Sequence, residues 1–202
     1  TRNMPANEDA ARNAGTTMDS IADYMEDRKI IRHLESISDA GNRAAKIINN
    51  MLNFARKNNS AKLEHDLGQL VDETLEMAES EYSLVKKFDF KKIEIVRNYA
   101  PDLKMVRCEK SKIEQVLLNI FKNASEAMAS REDKSIDPRI EIRLYADNGF
   151  SCVDIADNGP GMDNETRKRV FEPFFTTKDV DEGTGLGLSV SYFIIVDDHK
   201  GK

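Results

Sequence analysis

Apolar and small residues at Ile30, Leu34, Ile37, Gly41, Ala44, Ile48, Met51 and Ala55 recur in alternating steps of four and three. That heptad spacing predicts one long helix over about residues 30–58, packed lengthwise in a bundle or coiled coil. Ala40, Ile47 and Phe54 widen the stripe beyond a narrow two-helix seam and favour a multi-helix bundle, while Arg32, Asp39, Asn42, Lys46 and Asn53 form the solvated side. Met18, Ile21, Ala22 and Met25 extend the pattern upstream, so the helix is expected to start near Thr17. Residues 1–16, with Pro5, Gly15 and several Asn, read as a loop. Nothing else in this part of the chain offers a surface to bury such a stripe. Another chain, or a further helix, must cover it.

After the polar stretch at residues 56–62 the periodicity changes. Asp66 is placed to cap a helix from Leu67 to about Leu84, with Leu67, Leu70, Val71, Leu75 and Ala78 apolar. Residues 93–99 alternate as a strand that Pro101 ends, and residues 104–108 form a second short strand. A strong helix is predicted over 110–128 from Ile113, Val116, Leu117, Ile120 and Phe121. Residues 139–146 and 151–156 read as a hairpin turning at Asp147-Asn148-Gly149. A short helix follows over 164–170, then a loop rich in Phe, Gly and Thr, then a last helix over 186–196. Helices with an antiparallel hairpin and no βαβ repeat indicate an α+β fold, a two-layer sandwich preceded by the long helix. The division predicted is a helical region at 1–62 and a sandwich domain at 63–202.

Composition narrows the function classes. Of 202 residues 40% are hydrophobic and 33% charged, enough for a packed core, and the formal net charge is -6 with Lys and Arg scattered among the acids. A one-sided basic patch is missing, which argues against nucleic acid. Cys108 and Cys152 are far apart, lack metal-ligand spacing and sit in apolar runs, as two reduced buried thiols would. No stretch approaches the roughly 18 apolar residues of a membrane helix and no signal peptide opens the chain. The expectation is a cytoplasmic piece without membrane contact of its own, and a membrane-anchored parent stays open.

Four segments carry candidate chemistry. Asn119 and Asn123 lie four apart and share a helix face with Gln115, so two neutral carboxamide oxygens could serve a hard cation such as Mg²⁺ beside phosphate oxygens. Asp157-Asn158-Gly159-Pro160-Gly161-Met162 follows a strand directly; its carboxylate could accept from an exocyclic amine, and Gly161 would let a flat ring approach the backbone. Phe171-Glu172-Pro173-Phe174-Phe175-Thr176-Thr177-Lys178 puts three phenylalanines in a loop, where they either plug a core edge or hinge a mobile lid. Gly183-Thr184-Gly185-Leu186-Gly187-Leu188-Ser189 leads into a helix, and its free backbone N–H groups with the helix N-terminus suit phosphate. It matches neither the Walker A nor the Rossmann pattern. Each segment alone also has an ordinary structural explanation.

In this order and spacing the four segments resemble the N, G1, F and G2 boxes of the sensor histidine kinase catalytic domain, over about residues 63–198. This is the Bergerat-type ATP-binding fold shared with gyrase-like and mismatch-repair ATPases. The resemblance implies an ATP and Mg²⁺ site: Asn119 and Asn123 on the metal, Lys122 near phosphate, and Asp157 on the adenine amino group with Gly161 and Met162 lining the base pocket. It further implies Phe175 and its neighbours anchoring an ATP lid, Lys178 reaching the terminal phosphates, and Gly183, Thr184, Gly185, Leu186, Gly187 and Leu188 around the phosphates. The reaction implied is γ-phosphoryl transfer to a histidine, with relay to a response-regulator receiver domain. Residues 37–56 resemble the second helix of the family's dimerisation and phosphoacceptor hairpin, which implies a homodimer through the helical region. The glutamate that serves hydrolysis in gyrase-like relatives is replaced by Asn119.

The family's acceptor string, a histidine followed by an acid and then a proline, does not occur. His33 lies in Arg32-His33-Leu34-Glu35 on the predicted second helix, while His65 and His199 read as solvated. The expectation is therefore an acceptor helix upstream of Thr1, a final strand beyond Lys202, and a chain that binds ATP and Mg²⁺ but phosphorylates itself poorly. Two alternatives share the pocket: a serine kinase of the same ATP-binding superfamily, and a dimerising module that binds nucleotide only for regulation.

Overall fold

The computed structural model describes residues 5–55, 61–82, 90–131, 133, 135–178 and 183–202; within these, the side chains at 42, 43, 46, 47, 49–55, 81 and 82 are not described. The chain forms two compact units, Thr1–Arg56 and Lys57–Lys202.

The first unit is helical. Helix α1 spans Pro5–Asn13, α2 Met18–Asp27 and α3 Ile30–Ala55. The loop expected at 1–16 is thus mostly a helix, and its signals were present. Pro5 occupies the first helical position, Glu8 sits in the first turn, Arg12 in the last, and Gly15 at φ +72° follows the end. The single helix expected from Thr17 onward is broken in two. Thr17 caps α2 by accepting from the Ser20 N–H at 3.1 Å, and Lys29 at φ 54° turns the chain before α3 begins. The periodicity is continuous across that break, so the hydrophobic pattern could not reveal it. Along α3, Leu34, Ile37 and Ile48 are all more than half exposed, and His33 is exposed too. The end of the predicted helix, residues 56–58, lies outside the described residues.

The second unit is a two-layer sandwich. Strand β1 (Leu63–His65), which the sequence pattern did not predict, pairs antiparallel with β3 (Val106–Cys108). His65 is therefore a half-buried strand residue and not a solvated one. The larger sheet runs β2 (Glu94–Tyr99), β4 (Arg139–Asp147), β5 (Phe150–Asp157). Its β4–β5 hairpin turns at Asn148 and Gly149, both at positive φ, the turn that an Asn-Gly pair favours. The β2–β4 pair is parallel, joined through helix α5 (Lys110–Ala129). The absence of a βαβ unit, expected from the order of elements, is corrected by that pairing. A parallel partner shows in a sequence only as alternation, which an antiparallel strand shows equally.

Helix α4 (Leu67–Tyr82) and α5 cover one face of this sheet. Asp66 Oδ1 accepts from the Gln69 N–H at 3.0 Å and starts α4 as predicted. Val71, Leu75, Phe121, Ile140, Ile142 and Leu144 are at most 1% exposed, and the Phe90 and Phe121 rings meet at 6.2 Å between centroids. The other face is polar: Asn98 donates to Glu141 at 3.0 Å and Arg143 pairs with Asp154 at 3.4 Å. Cys108 is buried, which pushes its thiol up from the ordinary range, while Cys152 is half-buried. Helix α6 (Asn164–Arg169) and α7 (Gly187–Phe193) complete the unit, and α7 passes into a π-helical turn at Ile194–Asp198. Among the described residues no helix is long and apolar enough to cross a membrane.

Candidate functional site

Helix α5 has two working faces. Val116, Leu117, Phe121, Ala124 and Met128 recur at helical spacing and go into the core, which sets the rotation of the helix. Asn119, Lys122, Asn123 and Glu126 are thereby left half-exposed on its other side. Three loops, remote in sequence, meet that side in successive turns.

The first contact is with the glycine-rich segment. Asn119 donates from Nδ2 to the Gly187 carbonyl at 3.1 Å and to Ser191 Oγ at 3.2 Å. Both are acceptors, so the amide orientation follows from its partners and the Asn119 oxygen stays uncommitted in these bonds. Asn119 thus holds the start of α7 against α5. One turn on, Lys178 from the Phe-rich loop sets its Nζ against Asn123 Oδ1 at 3.4 Å and forms a close ion pair with Glu126. Lys122 flanks the same carboxylate at 3.8 Å. At Ala127 the turn after β5 arrives: a Cβ at Gly159 would stand 3.2 Å from Ala127 Cβ and 2.6 Å from Asp157 Oδ1, tighter than ordinary contact.

Asp157 is exposed at the end of β5 and accepts from the Gly159 N–H at 2.8 Å. The neighbouring Asn158 holds the turn. It accepts from the Arg139 N–H at 3.0 Å and donates to the Asp137 carbonyl at 2.8 Å, and its own carbonyl accepts from Arg131 at 2.8 Å. Gly161 and Met162 lie exposed beyond it, with Met162 at 59%. Asp163 caps α6 by accepting from the Thr166 N–H at 2.7 Å, and that backbone bond holds its carboxyl below the usual range.

The Phe-rich and glycine-rich segments are tied to each other. The Phe174 N–H donates to the Gly185 carbonyl at 2.9 Å, and Phe174 itself adopts φ 66°. Gly185 sits at φ +64° with the Phe174 carbonyl carbon 2.4 Å from where a Cβ would be, so only glycine fits. A Cβ at Gly183 would stand 2.6 Å from Thr176 Oγ1; Gly183, Thr184, Gly187 and Leu188 are half-buried, whereas Leu186 is buried. Phe175 lies under the Arg169 guanidinium at 4.4 Å and Phe171 packs on Tyr192 at 5.3 Å. Two of the three phenylalanines, Phe171 and Phe174, remain about half exposed.

The structure thus gathers Asn119, Asn123, Lys122, Lys178 and Gly187 along α5, with Gly183 and Gly185 against the Phe-rich loop and Asp157 and Gly159 at the helix's far end. Gly161 and Met162 stand at the rim. Three residues missed from the sequence organise this cluster. Glu126 pairs with Lys178, and Asn158 with Arg131 fixes the β5 turn; Glu126 was legible as the next polar position on the Asn119–Asn123 face. His199, expected to be solvated, is held in place. Its Nε2 accepts from the Glu109 N–H at 3.1 Å, so Nδ1 carries the proton and donates to the Ile194 carbonyl at 2.7 Å. Among the described residues no three His, Cys, Asp or Glu side chains cluster as metal ligands. A separate depression of about 710 Å³ near Arg97, Tyr99 and Arg143 includes none of the predicted site residues.

Residues 108–202 match the family described as histidine kinase-, DNA gyrase B-, and HSP90-like ATPase. The signal transduction histidine-protein kinase AtoS of Escherichia coli (strain K12) is 33% identical over 166 residues, which cover 82% of this chain and 24% of that protein. The chain therefore spans about a quarter of that relative's length. The solved catalytic domain of histidine kinase ThkA is 30% identical at a TM-score of 0.56, covering 69% of this chain and 83% of that one. ThkA in complex with the response regulator protein TrrA matches at a TM-score of 0.60 over 83% of this chain and 44% of that one; its identity of 24% makes this a likeness of fold.

Proposed function

This chain belongs to the histidine kinase family, and from that premise we propose that residues 63–202 bind ATP with Mg²⁺ along α5 and transfer its γ-phosphoryl group to a histidine. The observation that supports the reading is the convergence of three remote loops on successive turns of one helix at Asn119, Asn123–Glu126 and Ala127.

Each group then has a part. Asp157 would accept from the adenine amino group, with Gly161 and Met162 against the base. Lys122 and Lys178 would meet the phosphates, and Gly183 to Leu188 would present backbone N–H groups to them at the start of α7. Asn119 and Asn123 would hold Mg²⁺. The donor set fits: Asn123 Oδ1 already faces an ammonium, and neutral amide oxygens suit a hard cation whose remaining ligands are phosphate oxygens and water. When bound, Mg²⁺ supplies charge neutralisation on the phosphates. Phosphoryl transfer asks the protein mainly for such positioning and electrostatic support.

Residues 1–62 are proposed as part of a dimerising and phosphoacceptor helical region. The exposed α3 stripe supports pairing with a second copy. Membership of the histidine kinase family supports a receiver domain as the downstream partner, reached by histidine-to-aspartate relay in the cytoplasm.

Calorimetry with ATP, with and without Mg²⁺, on this chain and on Asp157→Asn tests the pocket. Micromolar binding that weakens at least ~10-fold in the variant, about 1.4 kcal/mol, is expected. Unchanged binding in the variant would remove Asp157 from the base site. No binding by the unaltered chain, with an intact melting transition, would refute the reading.

A further inference from the structure

Glu126 has no ligand-binding role in the reading above, yet two cations engage it on the open face of α5. It is bracketed by two ammonium groups: Lys122, one turn back on its own helix at 3.8 Å, and Lys178, delivered across 52 residues of sequence from the Phe-rich loop. Lys178 is anchored before it gets there, because its backbone N–H donates to Thr176 Oγ1 at 3.1 Å. Its Nζ then lies between Glu126 and Asn123 Oδ1. The side chains of Glu126 and Lys178 are 36% and 34% exposed, so the pair is partly shielded from solvent.

Resting on the ATP reading, we infer that Glu126 is a positioning residue that parks Lys178 on Asn123 in the nucleotide-free chain. The parked ammonium holds the place of the cation that Asn123 would otherwise face. An incoming triphosphate offers Lys178 a more highly charged partner than one carboxylate does, and the ammonium is passed from Glu126 to phosphate. Asn123 Oδ1 is freed by the same move. Glu126 therefore acts through Lys178, and the pair makes the phosphate ligand and the metal ligand of the site change state together.

The consequence is a defined non-additivity. Glu126→Gln releases Lys178 without changing side-chain shape, so ATP no longer competes with a carboxylate for it. Calorimetry on the full chain without Mg²⁺ should show ATP binding tightened about 3–10-fold in Glu126→Gln. Lys178→Met should weaken binding, and adding Glu126→Gln to that variant should tighten it clearly less than in the unaltered background, leaving only the share due to Lys122. Amide hydrogen exchange over residues 171–178 in the nucleotide-free chain should quicken equally in either single variant and in the double. That second readout needs no ligand and keeps the test valid if one variant binds poorly.

Tightening of the same size with and without the Lys178 side chain would mean that Glu126 simply repels phosphate, and would overturn the inference. Indifference of both binding and exchange to Glu126→Gln would overturn it as well. Absence of ATP binding by the unaltered chain would instead sink the nucleotide reading, an outcome distinct from either.

Discussion

Helices α3 and α5 carry equally regular apolar stripes, but the folded chain treats them in opposite ways. In α5 the stripe is closed over by α4 and the sheet, with Phe121 fully buried. In α3 the stripe lies open, with Ile37 at 68% exposure. The difference teaches what amphipathicity means. It reports that a helix needs a cover and is silent about which part of which molecule supplies it. In α5 the cover is intramolecular, so burial fixes the helix's rotation and turns Asn119, Asn123 and Glu126 into a site. In α3 the stripe from Leu34 to Ile48 has no cover from the described residues of its own unit.

The sharpest way to break this contrast is to remove one side chain from each stripe. Phe121→Ala should cost about 3–5 kcal/mol of unfolding free energy in denaturant titrations. Ile37→Ala, measured at the lowest workable concentration, should stay within about 0.5 kcal/mol. Equal losses would mean that α3 is covered within the chain after all.

The next test makes the open stripe hostile to a partner. Ile37→Asp should weaken self-association at least ~10-fold in sedimentation equilibrium, about 1.4 kcal/mol, and leave the melting of the sandwich unit unchanged. An unaltered chain that runs as a monodisperse monomer at micromolar concentration would refute pairing through α3.

A smaller effect separates the units by helix capping. Thr17→Ala removes the acceptor for the Ser20 N–H and should destabilise α2 by about 1 kcal/mol. Faster amide exchange is expected over residues 18–24 alone; spread of the effect into 67–82 would show that the two units are coupled.

The last effect is confined to the sandwich and to alkaline pH. Burial, with the Asp72 carboxylate adding to it, pushes the Tyr99 phenol up to about 12 in the folded chain, against about 10 when unfolded. Below pH 10 both states are neutral and the contribution is fully present. Between pH 10 and 12 the unfolded chain loses its proton first, so stability falls as pH rises. Tyr99→Phe should remove that part of the slope, and an identical slope in the variant would show that Tyr99 is not its source.

The sequence by itself determined most of the local order. Asp66 and Asn148-Gly149 each place a boundary or turn through chemistry internal to a few residues, which is why α4 and the hairpin fall where predicted. The Asn119–Asn123 spacing on one face is likewise a property of the helix alone. Tertiary structure decided the rest. Strand β1 is three residues long and exists only because β3 lies beside it, and the parallel β2–β4 pairing rests on a partner 45 residues away. His199 is fixed by the Glu109 N–H, 90 residues earlier. Lys178 was expected at the phosphates, but its pairing with Glu126 over Asn123 appears only when folding brings the two together. Local signals act through bonds and turns that a short window contains, whereas strand partners, ion pairs and the cover over a stripe depend on which distant surfaces meet.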